Sequence, residues 1–357
     1  MVRGRGVQGN HCVSGRQQLA WLGMSGSCAD MVQCGDAGPF TASQKDAFVL
    51  FAPDSVASGT YVDALAYLNG MGIGLHGFRW IKVTNSQVAE LYGSNRMGTD
   101  SAEDILVDRL FTSGPSLACW LTAPHFSGPS LVDTLRVLKG HKDPAECRPG
   151  HLRHLLGAEN TVMNCMHSSD SLAHAVKELQ ILGVSSFVRG EVAPNQDSDA
   201  PTPEREFPSA LWVACRVFAE AVHSLCGAVP KGYAKWQEQG AALARMSTKP
   251  EGVLTELQQI WGRQAELVEL AVGTAEATAL RRVASICSAS FNADDVAEAI
   301  RPLGLALSPW EDLILRCQQL RGPLPQWIGP RNTHSGRIIC DVIRSRRGPG
   351  TQHPGQE

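Results

Sequence analysis

Between residues 44 and 184 the hydrophobic pattern switches repeatedly between the two-residue period of strands and the 3.6-residue period of helices. This ordered switching limits the fold more than any other feature of the chain. Residues 47–52, Ala-Phe-Val-Leu-Phe-Ala, read as a buried strand closed by Pro53-Asp54. Residues 61–68 have helical spacing and end near Gly70 and Gly72. A second strand is expected over 77–83. Thr84 is placed to cap a short helix running through Leu91-Tyr92, with Gln87 completing a capping box. A helix over 101–112 puts Ile105, Leu106, Leu110 and Phe111 on one face. Residues 117–121 read as a strand and 130–138 as a helix with a Ser130/Asp133 capping box. Residues 140–160 have no clear period. A strand over 161–166 and an amphipathic helix over 171–182 follow. The order β-α-β-α-α-β-α-loop-β-α predicts an α+β fold, a ferredoxin-like antiparallel sheet with flanking helices.

The flanks read differently. Residues 1–43, rich in Gly, Ser and Gln, are expected to form a flexible N-terminal segment. The α+β unit 44–190 is followed by a Pro-rich, acidic linker, 191–208. Beyond it an all-α region, 209–320, is expected to fold apart from the first unit. Its first helix starts at Pro208 and lines Leu211, Trp212, Cys215, Phe218, Val222 and Leu225 along one side. Further helices fit 233–246, 253–272 and 275–288. Residues 291–320 read helix, loop, helix, capped by Asn292 and by Ser308 with Glu311. The Pro-, Gly- and Arg-rich residues 321–357 read as a disordered tail.

A net charge of −3 and 6% aromatic residues give no general attraction to nucleic acid. No segment approaches the roughly 20 apolar residues that span a bilayer, so no membrane partner is expected. The 11 cysteines are scattered without a C-x-x-C pair, and no D-x-[DN]-x-[DN]-G loop occurs. No zinc, calcium or other protein-held metal is therefore expected. The cysteine usage suits a reducing, cytoplasmic setting.

The run Asn164-Cys165-Met166-His167-Ser168-Ser169-Asp170-Ser171 carries the candidate chemistry. It is expected to end a strand and open a helix, where backbone N–H groups favour anions. A neutral imidazole there is able to attack phosphorus. Glu178, later on the same helix, is placed to orient the ring.

This segment is similar to the N-x-x-H-G-S-D-S active-site pattern of nucleoside diphosphate kinases. Pro53-Asp54, Phe111-Thr112-Ser113-Gly114-Pro115, Asp143-Pro144-Ala145-Glu146, Pro149-Gly150 and Arg153 match further family motifs in the same order. The resemblance implies that His167 accepts the γ-phosphate of a nucleoside triphosphate and passes it on, with Glu178 and Ser169 as orienting partners. It implies phosphate contacts from Arg136 and Arg153, a tyrosine near the phosphates at Tyr92, and a sugar contact at Asn164. Mg²⁺ would be carried by the nucleotide.

The departures are as specific. The family lysine before Pro-Asp is Ala52, the loop threonine is Lys142, and the glycine after the histidine is Ser168. No counterpart of the base-stacking phenylalanine stands in residues 93–100. Lys142 is expected to supply at the nucleotide the charge that Ala52 lacks. These departures imply a divergent, nucleotide-binding or scaffold module with weak or no phosphotransfer. An active kinase working through phospho-His167 is the other reading. Divergent relatives with appended domains imply protein partners for the helical region, ciliary or cytoskeletal, and a location in the cytoplasm or a cilium.

Overall fold

The computed structural model describes residues 43–93, 101–128, 130–189, 210–225, 253–271, 273–285 and 291–321. The expected N-terminal segment, the linker, the helix over 233–246 and nearly all of the tail lie outside them.

Four strands form one antiparallel sheet: β1 (Asp46–Phe51), β2 (Gly74–Ile81), β3 (Ser116–Thr122) and β4 (Met166–Ser168), in the order β2-β3-β1-β4. With its helical crossovers this is the expected ferredoxin-like α+β arrangement. β1 is central. Its Ala47, Phe48, Val49, Leu50 and Phe51 are all buried, which is why the run is apolar without alternation.

The helices around the sheet are α1 (Pro53–Ser58), α2 (Thr60–Gly70), α3 (Asn85–Tyr92), α4 (Ala102–Ser113), α5 (Leu131–Lys139), α6 (Leu152–Leu156) and α7 (Leu172–Ile181). The Thr84/Gln87 capping box at α3 is complete, and Ser101, Ser130 and Ser171 cap α4, α5 and α7. Two short elements escape the periodicity: α1, which uses Pro53 as its first residue, and α6, set in the aperiodic stretch. Both are too short for a period to show.

The last strand corrects the expectation. Residues 161–165 form a turn, not a strand. Asn160 Oδ1 accepts from the N–H groups of Val162 and Met163, at 3.0 and 2.8 Å, and Asn164 Nδ2 donates to Thr161 O at 2.7 Å. These side-chain bonds satisfy backbone groups that a sheet would otherwise pair. β4 therefore begins at Met166, and His167 lies within it, opposite Leu50.

Beyond the sheet lie α8 (Ala210–Leu225), α9 (Val253–Ala271), α10 (Thr274–Ala284), α11 (Ala293–Ile300) and α12 (Pro309–Arg321). Asn292 caps α11, and Ser308 and Glu311 exchange the expected reciprocal bonds at α12. Val213, Phe218, Trp261, Leu280, Ile300 and Ile314 share one buried cluster with Leu106 and Leu110 of α4 and with Val162 and Met163. Burying each large side chain contributes about 1.5–3 kcal/mol. Arg109 of α4 donates to Asp312 of α12 at 2.8 Å, and Arg321 reaches the carbonyl of Glu159.

Candidate functional site

The site is built where β4 runs beside β1. Cys165, just ahead of β4, has φ +71, a left-handed conformation that a non-glycine residue resists. Asp54 and Ala52 hold its backbone. Its N–H donates to Asp54 Oδ2 at 2.9 Å, and its carbonyl accepts from Ala52 N–H at 3.0 Å. Asp54 is fully buried at the start of α1. Burial pushes its carboxyl up to about 6, against the hydrogen bond from Cys165 that pulls it down. The Pro-Asp motif thus fixes the turn that delivers His167.

His167 Nε2 lies 3.1 Å from Glu178 Oε2 on α7. The two atoms are in close polar contact, but Nε2 has no partner in the aligned geometry of a hydrogen bond. The same carboxylate oxygen accepts from Ser169 Oγ at 2.5 Å. Burial alone would raise the Glu178 carboxyl, but His167 and Ser169 outweigh it and hold it below its ordinary value. The Tyr92 ring meets the imidazole edge-on, with centroids 5.7 Å apart, and also packs against Phe111. Burial raises the Tyr92 phenol well above its ordinary value.

Four of the expected residues are therefore brought together: His167, Glu178, Ser169 and Tyr92. The structure corrects how they are held. His167 is a strand residue, and α7 starts five residues later at Leu172, with Ser171 capping the N–H of His174. Residues 168–171 thus lie between His167 and the first residue of the helix.

The other expected residues have the following partners within the chain. Arg153 is buried and donates to the carbonyls of Asn164, Gly140 and Met166 and to the side chain of Asn164, at 3.0–3.4 Å. It braces the turn into β4, with Asn164 as part of the brace. Arg136 is exposed and lies 3.6 Å from Asp133 on its own helix. Lys142 is exposed and lies 3.5 Å from Glu103 of α4.

One cation was not anticipated. Lys139, the last residue of α5, is half-buried and donates from Nζ to the carbonyl of Ser168 at 3.4 Å. Burial pulls its ammonium down to about 8, Arg153 adding to the effect while Asp170 and Glu178 oppose it. Its helical spacing from Arg136 was a signal, but nothing in the sequence marks which carbonyl it meets. Among the described residues no group of three or more His, Cys, Asp or Glu is placed to hold a metal ion.

Residues 45–184 match the family model described as nucleoside diphosphate kinase. The nucleoside diphosphate kinase of Macrococcus caseolyticus is 31% identical over 134 residues, covering 38% of this chain and 84% of the relative. That of Thermomicrobium roseum is 30% identical over 131 residues, covering 37% of this chain and 82% of the relative. That of Fervidobacterium nodosum is 28% identical over 134 residues, covering 38% and 85%.

Proposed function

Because this chain belongs to the nucleoside diphosphate kinase family, we propose that it is a divergent member. In this reading it binds nucleoside di- and triphosphates and transfers phosphate through His167 slowly. The observation that carries the reading is the pairing of an assembled His167–Glu178–Ser169 group with a buried alanine at position 52.

The chemistry follows from that group. An ionised Glu178 beside Nε2 favours the imidazole tautomer with its proton there, leaving the Nδ1 lone pair for phosphorus. A bond forms between Nδ1 and the γ-phosphorus, and the bond from that phosphorus to the bridging oxygen breaks. The nucleoside diphosphate leaves with the electron pair. A second nucleoside diphosphate reverses the step and restores the ring. Glu178 offsets the positive charge that the ring carries while phosphorylated. Mg²⁺ enters with the nucleotide as part of the substrate, and when bound it neutralises phosphate charge.

The slow rate follows from position 52. A preorganised group facing the transferring phosphate is commonly worth roughly 10²–10³-fold in rate, and Ala52 has no charge to offer. The committed donors of Arg153 act in the same direction. The competing reading, a fully active kinase, is favoured by the intact His167–Glu178 contact. Phosphate transfer from ATP to a nucleoside diphosphate separates the two. The expected result is slow turnover in the parent and none in His167→Ala. Ala52→Lys should gain about 10²-fold. Parent turnover on the order of 10² s⁻¹ would favour the active kinase. Turnover that survives His167→Ala would remove the phosphohistidine.

The helical region, residues 210–321, is our candidate for contact with protein partners, ciliary or cytoskeletal, in the cytoplasm or a cilium. The support is the resemblance to divergent relatives with appended domains. Imaging of the tagged full chain in ciliated cells, with and without this region, tests the placement.

A further inference from the structure

The exposed lysine singled out in the sequence, Lys142, is turned toward Glu103. Lys139 is the lysine that reaches the strand of His167. Its ammonium sits on the carbonyl of Ser168, the residue that follows the histidine. A lysine ammonium has three donors, and the carbonyl uses one.

The groups around Lys139 come from four elements: Arg136 on its own helix α5, Arg153 on α6, Asp170 in the turn after β4, and Glu178 on α7. Two are cations and two are anions, so the carboxylates do not outnumber the competing positive groups. Asp170 is exposed, and Glu178 is committed to His167 and Ser169. A half-buried ammonium with spare donors in such a setting suits an incoming anion better than a protein partner.

We propose that Lys139 is an anion-binding side chain of this site, contacting the phosphates of the nucleotide that His167 reacts with. It supplies from the end of α5 the positive charge that Ala52 does not supply from the end of β1. The inference rests on the nucleotide-binding reading above and deepens it. A lysine here works as a point charge on a flexible stem, so it need not enter from the side of residue 52.

Calorimetric titration of ATP, ADP and adenosine into the parent, Lys139→Met and Lys139→Arg tests this. Lys139→Met should weaken ATP binding about tenfold or more, as expected for losing a hydrogen bond to a charged group. ADP binding should weaken less, and adenosine binding should not change. Lys139→Arg should keep most of the affinity. A pH series adds a readout that a purely structural role would not move. ATP affinity of the parent should fall between pH 7 and pH 9 as the ammonium is lost at about 8, while that of Lys139→Arg should stay flatter.

If the parent binds ATP and Lys139→Met binds it equally well, Lys139 is not a phosphate contact and the nucleotide reading stands. If Lys139→Met weakens adenosine as much as ATP, its role is structural and the proposal is wrong. If the parent binds neither ATP nor ADP, the nucleotide reading fails and takes this inference with it.

Discussion

The sheet region and the helical region place their charges in opposite ways. In the helices beyond residue 210 the charges neutralise one another. Arg216 pairs with Glu220 and Glu311, and Arg316 with Asp294 and Asp312, the last of which also accepts from Arg109. Around His167 the imidazole and the Ser169 hydroxyl converge on one carboxylate, Glu178, and Lys139 is held by a neutral carbonyl. Matched pairs hold elements together and leave little field for a ligand. Unmatched charge at a half-buried site is the arrangement expected where a charged substrate binds. The two regions nevertheless share one apolar cluster through Leu106, Leu110, Val162 and Met163, so function and stability are divided differently along the chain.

The largest test of this contrast is a core truncation. Leu110 belongs to α4 of the sheet region but is fully buried in the cluster shared with α8–α12. Leu110→Ala should cost about 2–5 kcal/mol. Calorimetry should show one transition for the whole chain shifting down. Two transitions, of which only one moves, would mean that the regions unfold separately, as the Pro-rich linker at 191–208 suggested from sequence.

Next in size is the pH dependence set by Asp54. Its folded pKa is about 6, raised from 3.8 by burial. The folded state therefore holds the proton more tightly than the unfolded state between these values. Stability should fall as pH rises through this window, by on the order of 3 kcal/mol for a shift of about two units. Urea denaturation at pH 4 to 7 should show the slope, and Asp54→Asn should flatten it. An unchanged slope in that variant would remove Asp54 as its source.

The smallest effect is expected at the contact between the regions that looks most specific. The Arg109–Asp312 pair is partly exposed, and such pairs contribute about 0.2–1 kcal/mol. Arg109→Ala should shift the denaturation midpoint only slightly. A loss of several kcal/mol would mean that charge, and not the apolar cluster, joins α12 to α4.

Much of this arrangement was legible in the sequence. Capping residues at Thr84, Ser130, Asn292 and Ser308 place helix starts within a residue, because a cap is a local side-chain bond. The His167, Ser169 and Glu178 group was legible from its motif. The start of β4 was not. Its apparent strand, 161–166, is apolar enough to pair, but Asn160 and Asn164 use their side chains to fold it into a turn. Arg153 was read as a phosphate contact from the family resemblance, and Lys142 as a charge that makes up for Ala52. Which oxygen each cation meets depends on distant elements, Gly140 and Met166 for one and Glu103 for the other. Lys139 was missed for the same reason, since Ser168 is 29 residues away.

The central claim is that His167 accepts phosphate from a nucleotide. Incubation of the full chain with γ-labelled ATP and Mg²⁺, followed by acid treatment, tests it most directly. The account predicts slow labelling of the protein, lost on acidification, absent in His167→Ala and faster in Ala52→Lys. Label that is acid-stable, or that persists in His167→Ala, would contradict it.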